Sequence, residues 1–332
     1  MDLGFLAALE ASRRSAIIKA GGKAKEPKFP APKWSYPILQ ERRYSNWAVK
    51  LFQPLREVGR QFAKDYPALL KEYQGKTDQM DEGFRTDATS QELTIGLRRD
   101  LEEAQQSMDL GPTGTDYAYI YATGDALADW NAKYWSTQRA LALGHVYDIQ
   151  EPWMQDALTE WTETNTKYFR NLSTEFVNRM ESLALEAIQT GKRPEALLVD
   201  LLKLEKNLGY NRARLIAEDQ TGKLLSIVNE KRSRACGLST YTWSTARDER
   251  VRPTHKVAEG KIGTYEDSAV WIDEATGKPY PRGGQGDDSS PGIPVRCRCT
   301  ACARWSEILK PIDASLLSDP YVEAEIQRLY GK

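Results

Sequence analysis

Two histidines and four cysteines are all the imidazole and thiol groups in this 332-residue chain. Cys236, Cys297, Cys299 and Cys302 lie in its last third, too few for the disulfide framework of a secreted protein of this length. No apolar run approaches the roughly 18 residues that a membrane span requires. Phe5-Leu6-Ala7-Ala8-Leu9 is cut short by Glu10, so no signal peptide is expected and synthesis in a cytosol is the simplest reading. The net charge is only -1, which excludes bulk attraction to polyanions as the basis of function. No P-loop, G-x-G-x-x-G, G-x-S-x-G or H-E-x-x-H stretch occurs, so the commonest nucleotide and hydrolase chemistries lack their sequence marks. There is no internal repeat.

What is there is uneven. Hydrophobic residues make up 40% and charged residues 28%, ordinary values for a chain with a substantial core. Residues 1–50 carry ten basic side chains against four acidic ones. Residues 231–256 hold Lys231, Arg232, Arg234, Arg247, Arg250, Arg252 and Lys256 against Asp248 and Glu249. Basic segments of this kind suit DNA or an acidic protein surface.

Hydrophobic period divides the chain. Residues 1–37 read as an N-terminal arm, a short helix followed by GGKAKEPKFPAPKW, whose prolines favour an extended path. Phe29, Trp34 and Tyr36 are candidate anchors on a partner, against the alternative of a disordered end. A helical body is expected over 38–235. Tyr44, Trp47, Leu51, Leu55, Val58 and Phe62 form one stripe, with a kink at Pro54. Further helices are expected over 89–107 and 117–146. The clearest begins after Pro152, with Trp153, Leu158, Trp161, Tyr168, Leu172, Phe176, Met180, Leu183 and Ala187 on one face. Gly191 stops it and Pro194 opens the next. A last long helix, 211–235, ends at Gly237. Residues 236–310 then read as a small α+β module with strands at 239–246, 270–272 and 295–303, joined by a Gly/Pro-dense loop. Residues 311–332 read as a C-terminal helix. The fold class expected is α+β: a mainly α-helical body with long helices, and a small C-terminal module containing a short antiparallel sheet.

Three chemistries compete for DERVRPTH, residues 248–255, and the later VRCRCTAC. His255, Cys297, Cys299 and Cys302 could hold a structural zinc, since thiolates and imidazole suit its tetrahedral site. C-x-C-x-x-C is not a standard finger spacing. On a strand, Cys297 and Cys299 would share a face. The alternatives are buried thiols beside a satisfied histidine, or a disulfide that includes Cys236. A metal-independent nuclease could use His255 as base, with Asp248 or Glu249, and Arg252 as phosphate clamp. A structural turn is preferred, because no substrate-shaped motif accompanies these residues. In that turn Asp248 accepts backbone N–H bonds, Arg250 or Arg252 pairs with a carboxylate, and Pro253 sets the direction. Finally, Lys231, Arg232, Arg234, Arg247, Arg250 and Arg252 are candidate DNA contacts. Such a patch would bind phosphates without reading sequence. The competing view is a helix C-terminus whose cations answer the macrodipole.

The order of motifs is specific. Arg214-Leu215-Ile216-Ala217-Glu218-Asp219-Gln220-Thr221 is followed by Gly237 to Trp243. Then come Thr245, Asp248-Glu249-Arg250-Val251-Arg252-Pro253, His255, Glu259-Gly260, a Gly/Pro loop and Cys297-Arg298-Cys299. This order resembles the phage Mu F-like minor head proteins, over roughly residues 150–305. ERRYSNWAVKLFQPL, 41–55, also looks like the start of such proteins. Glu259-Gly260 stands where the family often has Asp-Gly, and Cys302 is an additional thiol. The resemblance implies a structural, non-enzymatic virion component associated with the portal vertex. It would aid head assembly and contact packaged or ejected DNA. Implied partners are the phage portal protein, scaffold or major capsid protein, and phage DNA. The implied location is the head near the portal, with host cytoplasm during assembly. Some longer relatives carry toxin or enzyme domains after this module, and the residues beyond Cys302 leave no room for one.

Overall fold

The computed structural model describes residues 36–78, 87–143 and 150–305. The expected N-terminal arm, apart from Tyr36 and Pro37, and the expected C-terminal helix lie outside these residues. The described chain is helical up to Ala235 and carries one small antiparallel sheet after it. It forms two compact units, residues 37–127 with 153–221, and residues 128–152 with 222 onward.

The helical unit begins with α1 (Ile38–Leu51) and α2 (Gln53–Asp78), separated at Phe52. The expected kink at Pro54 is thus a break two residues earlier, which leaves Pro54 in the first turn of α2, where its missing N–H costs nothing. α3 (Asp87–Gln106) and α4 (Thr115–Leu143) follow. α5 (Met154–Thr190) ends as expected on a left-handed Gly191 (φ 62°), and α6 (Pro194–Leu204) starts on proline. α2 packs on α3 and α6, and α5 packs on α3 and α6.

Two details of this unit differ from the hydrophobic pattern. Tyr168 is exposed, and its neighbour Phe169 is the side chain that enters the core, between Tyr44 and Trp47. A strict seven-residue step from Trp161 lands on Tyr168, but a 3.6-residue helix drifts from that step. Second, α6 does not stop. It passes through a π-helical segment, Glu205–Arg212, into α7 (Ala213–Ala235). Glu205 is buried there and takes a bidentate pair from Arg60, at 3.0 and 2.8 Å. Gly209 faces Arg56 and Phe176 in the same segment.

The sheet unit has strand order β4-β3-β2-β1-β5, all neighbours antiparallel. β1 is Thr240–Ser244, β2 Ile262–Thr264, β3 Val270–Ile272, β4 Pro279–Pro281 and β5 Thr300–Ala303. β2 and β4 lie where only turns and loop were expected. At three residues each they are too short to show alternation. The strand expected over 295–303 forms only in its second half, so Cys297 and Cys299 precede β5 rather than sit on it. Parts of α4 and α7 pack with the sheet. Trp135 donates its indole N–H to Asn229 at 2.7 Å, and the Asn229 amide donates to the Ala301 carbonyl.

The core of this unit is aromatic: Tyr241, Trp243 and Trp271, joined by Ala258, Ala301 and two thiols. Arg282 threads into it at 1% exposure. Its guanidinium lies 4.1 Å from the centre of the Trp271 ring. It donates to the Val270 and Ser289 carbonyls and the Tyr241 hydroxyl at 3.0, 2.8 and 2.7 Å. Carbonyl dipoles and a π face here replace the carboxylate that a buried cation usually needs. Arg282→Ala should therefore destabilise the sheet unit by about 3 kcal/mol, since it leaves three acceptors unmet. Arg282→Lys should not rescue it, because an ammonium cannot span that fork. Chemical denaturation followed by tryptophan fluorescence checks both, with exposed Arg250→Ala expected to be near neutral.

Candidate functional site

β1 feeds straight into the loop that carries DERVRPTH. Asp248 closes its turn by accepting the Arg250 backbone N–H at 3.1 Å, and it also pairs with the Arg250 side chain at 3.1 Å. Arg252 is extended, and Pro253 opens a one-turn helix, α8 (Pro253–Lys256). That turn directs His255 inward, where it is 2% exposed and meets the Trp243 ring edge to face at 5.4 Å.

Three segments converge on the imidazole. Its Nε2 lies 2.9 Å from Asp287 Oδ2, and its Nδ1 lies 3.5 Å from both Cys297 Sγ and Cys299 Sγ. Asp287 sits in a left-handed conformation (φ 55°), in a 3-10 turn at Gln285–Asp288. A non-glycine residue there carries strain, which the surrounding contacts must offset. The offset is visible: the Asp287 carboxylate also accepts from Arg252 and from the Thr254 hydroxyl, each at 3.0 Å. Arg252 spends its other nitrogen on the Val295 carbonyl at 2.6 Å. So the Arg-x-Thr-His step grips both the Asp287 turn and the loop that leads to Cys297.

The sulfurs are held by backbone. Cys297 Sγ accepts from the Gly292 and Cys299 N–H groups, each at 3.4 Å. α7 runs directly over this loop, and a Cβ on Gly222 would stand 2.7 Å from the Cys297 carbonyl oxygen. Gly286 likewise leaves no room beside Trp243, where a Cβ would lie 2.9 Å from the ring.

The electrostatics follow from this crowding. Hydrogen bonding from Cys299, then from His255, pulls the Cys297 thiol down to about 5 against its burial. The Cys299 thiol moves far up, because it is the donor to Cys297 and is itself buried. Burial pulls the His255 pKa down, but Cys297 and Asp287 outweigh it and the net shift is upward. Asp287 moves down, as the His255 and Thr254 contacts overcome its desolvation. The cluster therefore concentrates negative charge on sulfur beside a ring oriented by a carboxylate.

Among the described residues, the ligating atoms of His255, Cys297 and Cys299 lie within 4.8 Å of one another. Cys302 is not in that group. It sits on β5 opposite Thr242, 4.0 Å from the Tyr134 hydroxyl, and burial raises its thiol to about 11. Cys236 lies at the end of α7 near Arg139, and burial likewise raises it to about 11. All four thiols are buried and unbridged.

The expected basic patch is mostly paired within the fold. Arg232 does not face solvent: it is 3% exposed and bonded to Glu151 at 2.6 and 2.7 Å, to Asn131 and to the Ala128 carbonyl. It holds parts of the sheet unit together and cannot reach a phosphate. Arg234 pairs with Glu230 and Glu266, Arg247 with Glu259, Arg250 with Asp248 and Arg252 with Asp287. Those four remain partly exposed, as does Lys231. Sequence reasoning missed Asp287 altogether. Its only signal was an Asp pair in a glycine-rich loop, too common to single out.

These features define a class: a helix-backed antiparallel module closed by a buried histidine–thiol cluster. Residues 178–302 match the family described as Phage Mu protein F like protein. A Haemophilus influenzae protein described only as uncharacterized is 24% identical over 153 residues, or 46% of this chain. The match spans 30% of that relative's length. No solved structure matches.

Asp287→Ala is expected to destabilise the module by about 2 kcal/mol, from three lost hydrogen bonds to an ionised carboxylate. Asp288→Ala changes a neighbouring residue of similar left-handed backbone (φ 44°) whose side chain makes none of these contacts, and it should cost much less. The difference between the two denaturation midpoints isolates the carboxylate.

Proposed function

We propose that the chain is a minor head protein of a tailed phage, associated with the portal vertex. There it aids head assembly and contacts packaged or ejected DNA. The observation that carries this reading is the family match over 178–302, which takes in the sheet up to Cys302 and the His255 cluster. That match supports a phage head morphogenesis protein with phage structural partners and a place in the virion. The portal position and the DNA contact are the finer steps.

The helical unit supports a protein-binding role. α6 leaves Leu198, Val199 and Leu202 exposed, and Tyr210 follows on the π-helical segment. Apolar side chains grouped in this way suit burial against a partner. The DNA contact would fall to Lys231, Arg234, Arg247, Arg250 and Arg252. Because four of these already hold carboxylates, binding exchanges one ionic partner for another and should be weak, non-specific and salt-sensitive.

A nuclease reading finds little support. His255 is buried, and both its ring nitrogens face groups of the fold itself.

In heads purified from infected cells, the protein should cross-link to the portal protein at a fixed low copy number. Heads assembled without it should lose infectivity. Absence of the protein from purified heads would sink the reading. For DNA, charge reversal at Arg234, Arg247 and Arg250 should weaken binding uniformly across sequences. The slope of log affinity against log salt should fall by about one per lost phosphate contact. Unchanged affinity would remove DNA contact by this patch.

A further inference from the structure

The ligating atoms of His255, Cys297 and Cys299 converge within 4.8 Å of one another. If Nε2–H donates to Asp287, the neutral ring has only a lone pair at Nδ1, facing two sulfurs at 3.5 Å. If the ring is protonated, Nδ1 has one hydrogen for two equidistant sulfurs. Around this centre the sulfurs are ringed by donors. Gly292 and Cys299 N–H groups point at Cys297. Trp243, whose ring packs on His255, is fully buried with no hydrogen-bond partner at its Nε1. Two backbone N–H groups aimed at the buried Cys297 sulfur suit a thiolate that ligates a cation.

The distances match a tetrahedral thiophilic ion. With zinc–sulfur bonds of about 2.3 Å and zinc–nitrogen bonds of about 2.0 Å, a tetrahedral site has nitrogen–sulfur edges of about 3.5 Å. Both observed nitrogen–sulfur distances are 3.5 Å. Asp287 adds the feature common to metal-bound histidines: a carboxylate on the far ring nitrogen, fixing tautomer and orientation. Its position is held from two further sides by Arg252 and Thr254.

We propose that His255 Nδ1, Cys297 Sγ and Cys299 Sγ bind one thiophilic divalent cation of the zinc type, with Asp287 as the positioning residue behind the imidazole. Water or another oxygen, nitrogen or sulfur donor completes the tetrahedron. Cys302 and Cys236 take no part. The ion joins the Arg252–His255 step to the Cys297–Cys299 loop, two segments far apart in sequence that the short strands alone hold weakly. A catalytic thiol at Cys297 is the less favoured use of these atoms, because that sulfur is buried and has Cys299 against it. A Cys297–Cys299 disulfide would remove the charge for which the N–H groups are arranged.

The test uses the full chain, expressed in a reducing cytosol and purified without chelator. Elemental analysis should find about one zinc per chain, as a single tetrahedral site requires. Cys297→Ser and Cys299→Ser should each lose it, while Cys236→Ser and Cys302→Ser should keep it. Because the first pair alters the cluster itself, the wild-type chain provides a readout independent of their folding. Stripped with chelator and titrated with cobalt, it should gain tetrahedral visible bands and sulfur-to-metal charge-transfer absorption. Asp287→Ala should still bind the metal, 10–100-fold more weakly. Four reactive thiols in the denatured wild type, with no zinc and no cobalt spectrum, would overturn the proposal. So would a mass two hydrogens short from a Cys297–Cys299 disulfide, or zinc that depends on Cys302 and not on Cys297.

Discussion

A buried imidazole has two nitrogens to satisfy, and in this chain the way His255 satisfies them organises the sheet unit. One nitrogen requires an acceptor, so the Gln285–Asp288 turn must bring Asp287 to it in a backbone conformation that costs strain. The other faces sulfur, so the loop before β5 must fold back until Cys297 and Cys299 meet the ring. Arg252 reinforces both requirements at once, through Asp287 and the Val295 carbonyl. The glycines follow from the same demand. α7 can pass over the Cys297 loop only because Gly222 has no side chain, and the Asp287 turn can lie on Trp243 only because Gly286 has none.

Charge in this unit is handled locally. Arg232 is buried on Glu151, Asn131 and a carbonyl, whereas Arg282 is buried on carbonyls, a hydroxyl and the Trp271 face. Neither guanidinium is available to a ligand. A basic run in the sequence therefore divides into structural cations and surface cations. The division depends on acids far away in sequence: Glu151, Glu259, Glu266 and Asp287.

That division explains what could and could not be read in advance. Helices were legible where local rules decide them. Gly191 stops α5 in a left-handed conformation, and Pro194 starts α6, for reasons that need no tertiary knowledge. The turn at Asp248 and the role of Pro253 were legible because a dense motif confines them within eight residues. β2 and β4 were not, since three-residue strands carry no period and take their identity from neighbours. The continuity of α6 into α7 was hidden because a π-helical segment shifts the hydrophobic phase. Asp287 and the burial of Arg232 were invisible for a common reason: each is defined by a partner dozens of residues away.

The short strands also bear on why such a unit would contain a charged cluster at all. β2, β3 and β4 have three residues each and form only a few ladder bonds. A sheet of this size buries little aliphatic surface. Its core is instead three large aromatic side chains with a guanidinium between them. Aromatic burial of this kind stabilises strongly but does not by itself fix loop register, since rings tolerate sliding contacts more readily than directional bonds do. The His255–Asp287 hydrogen bond and the paired sulfurs supply direction at the point where three irregular segments meet. Small units that lack core volume commonly gain specificity from a tether of this sort, by disulfide or by metal. In a reducing compartment the disulfide is the weaker choice. A histidine with a carboxylate behind it and two sulfurs before it is the arrangement that suits the other.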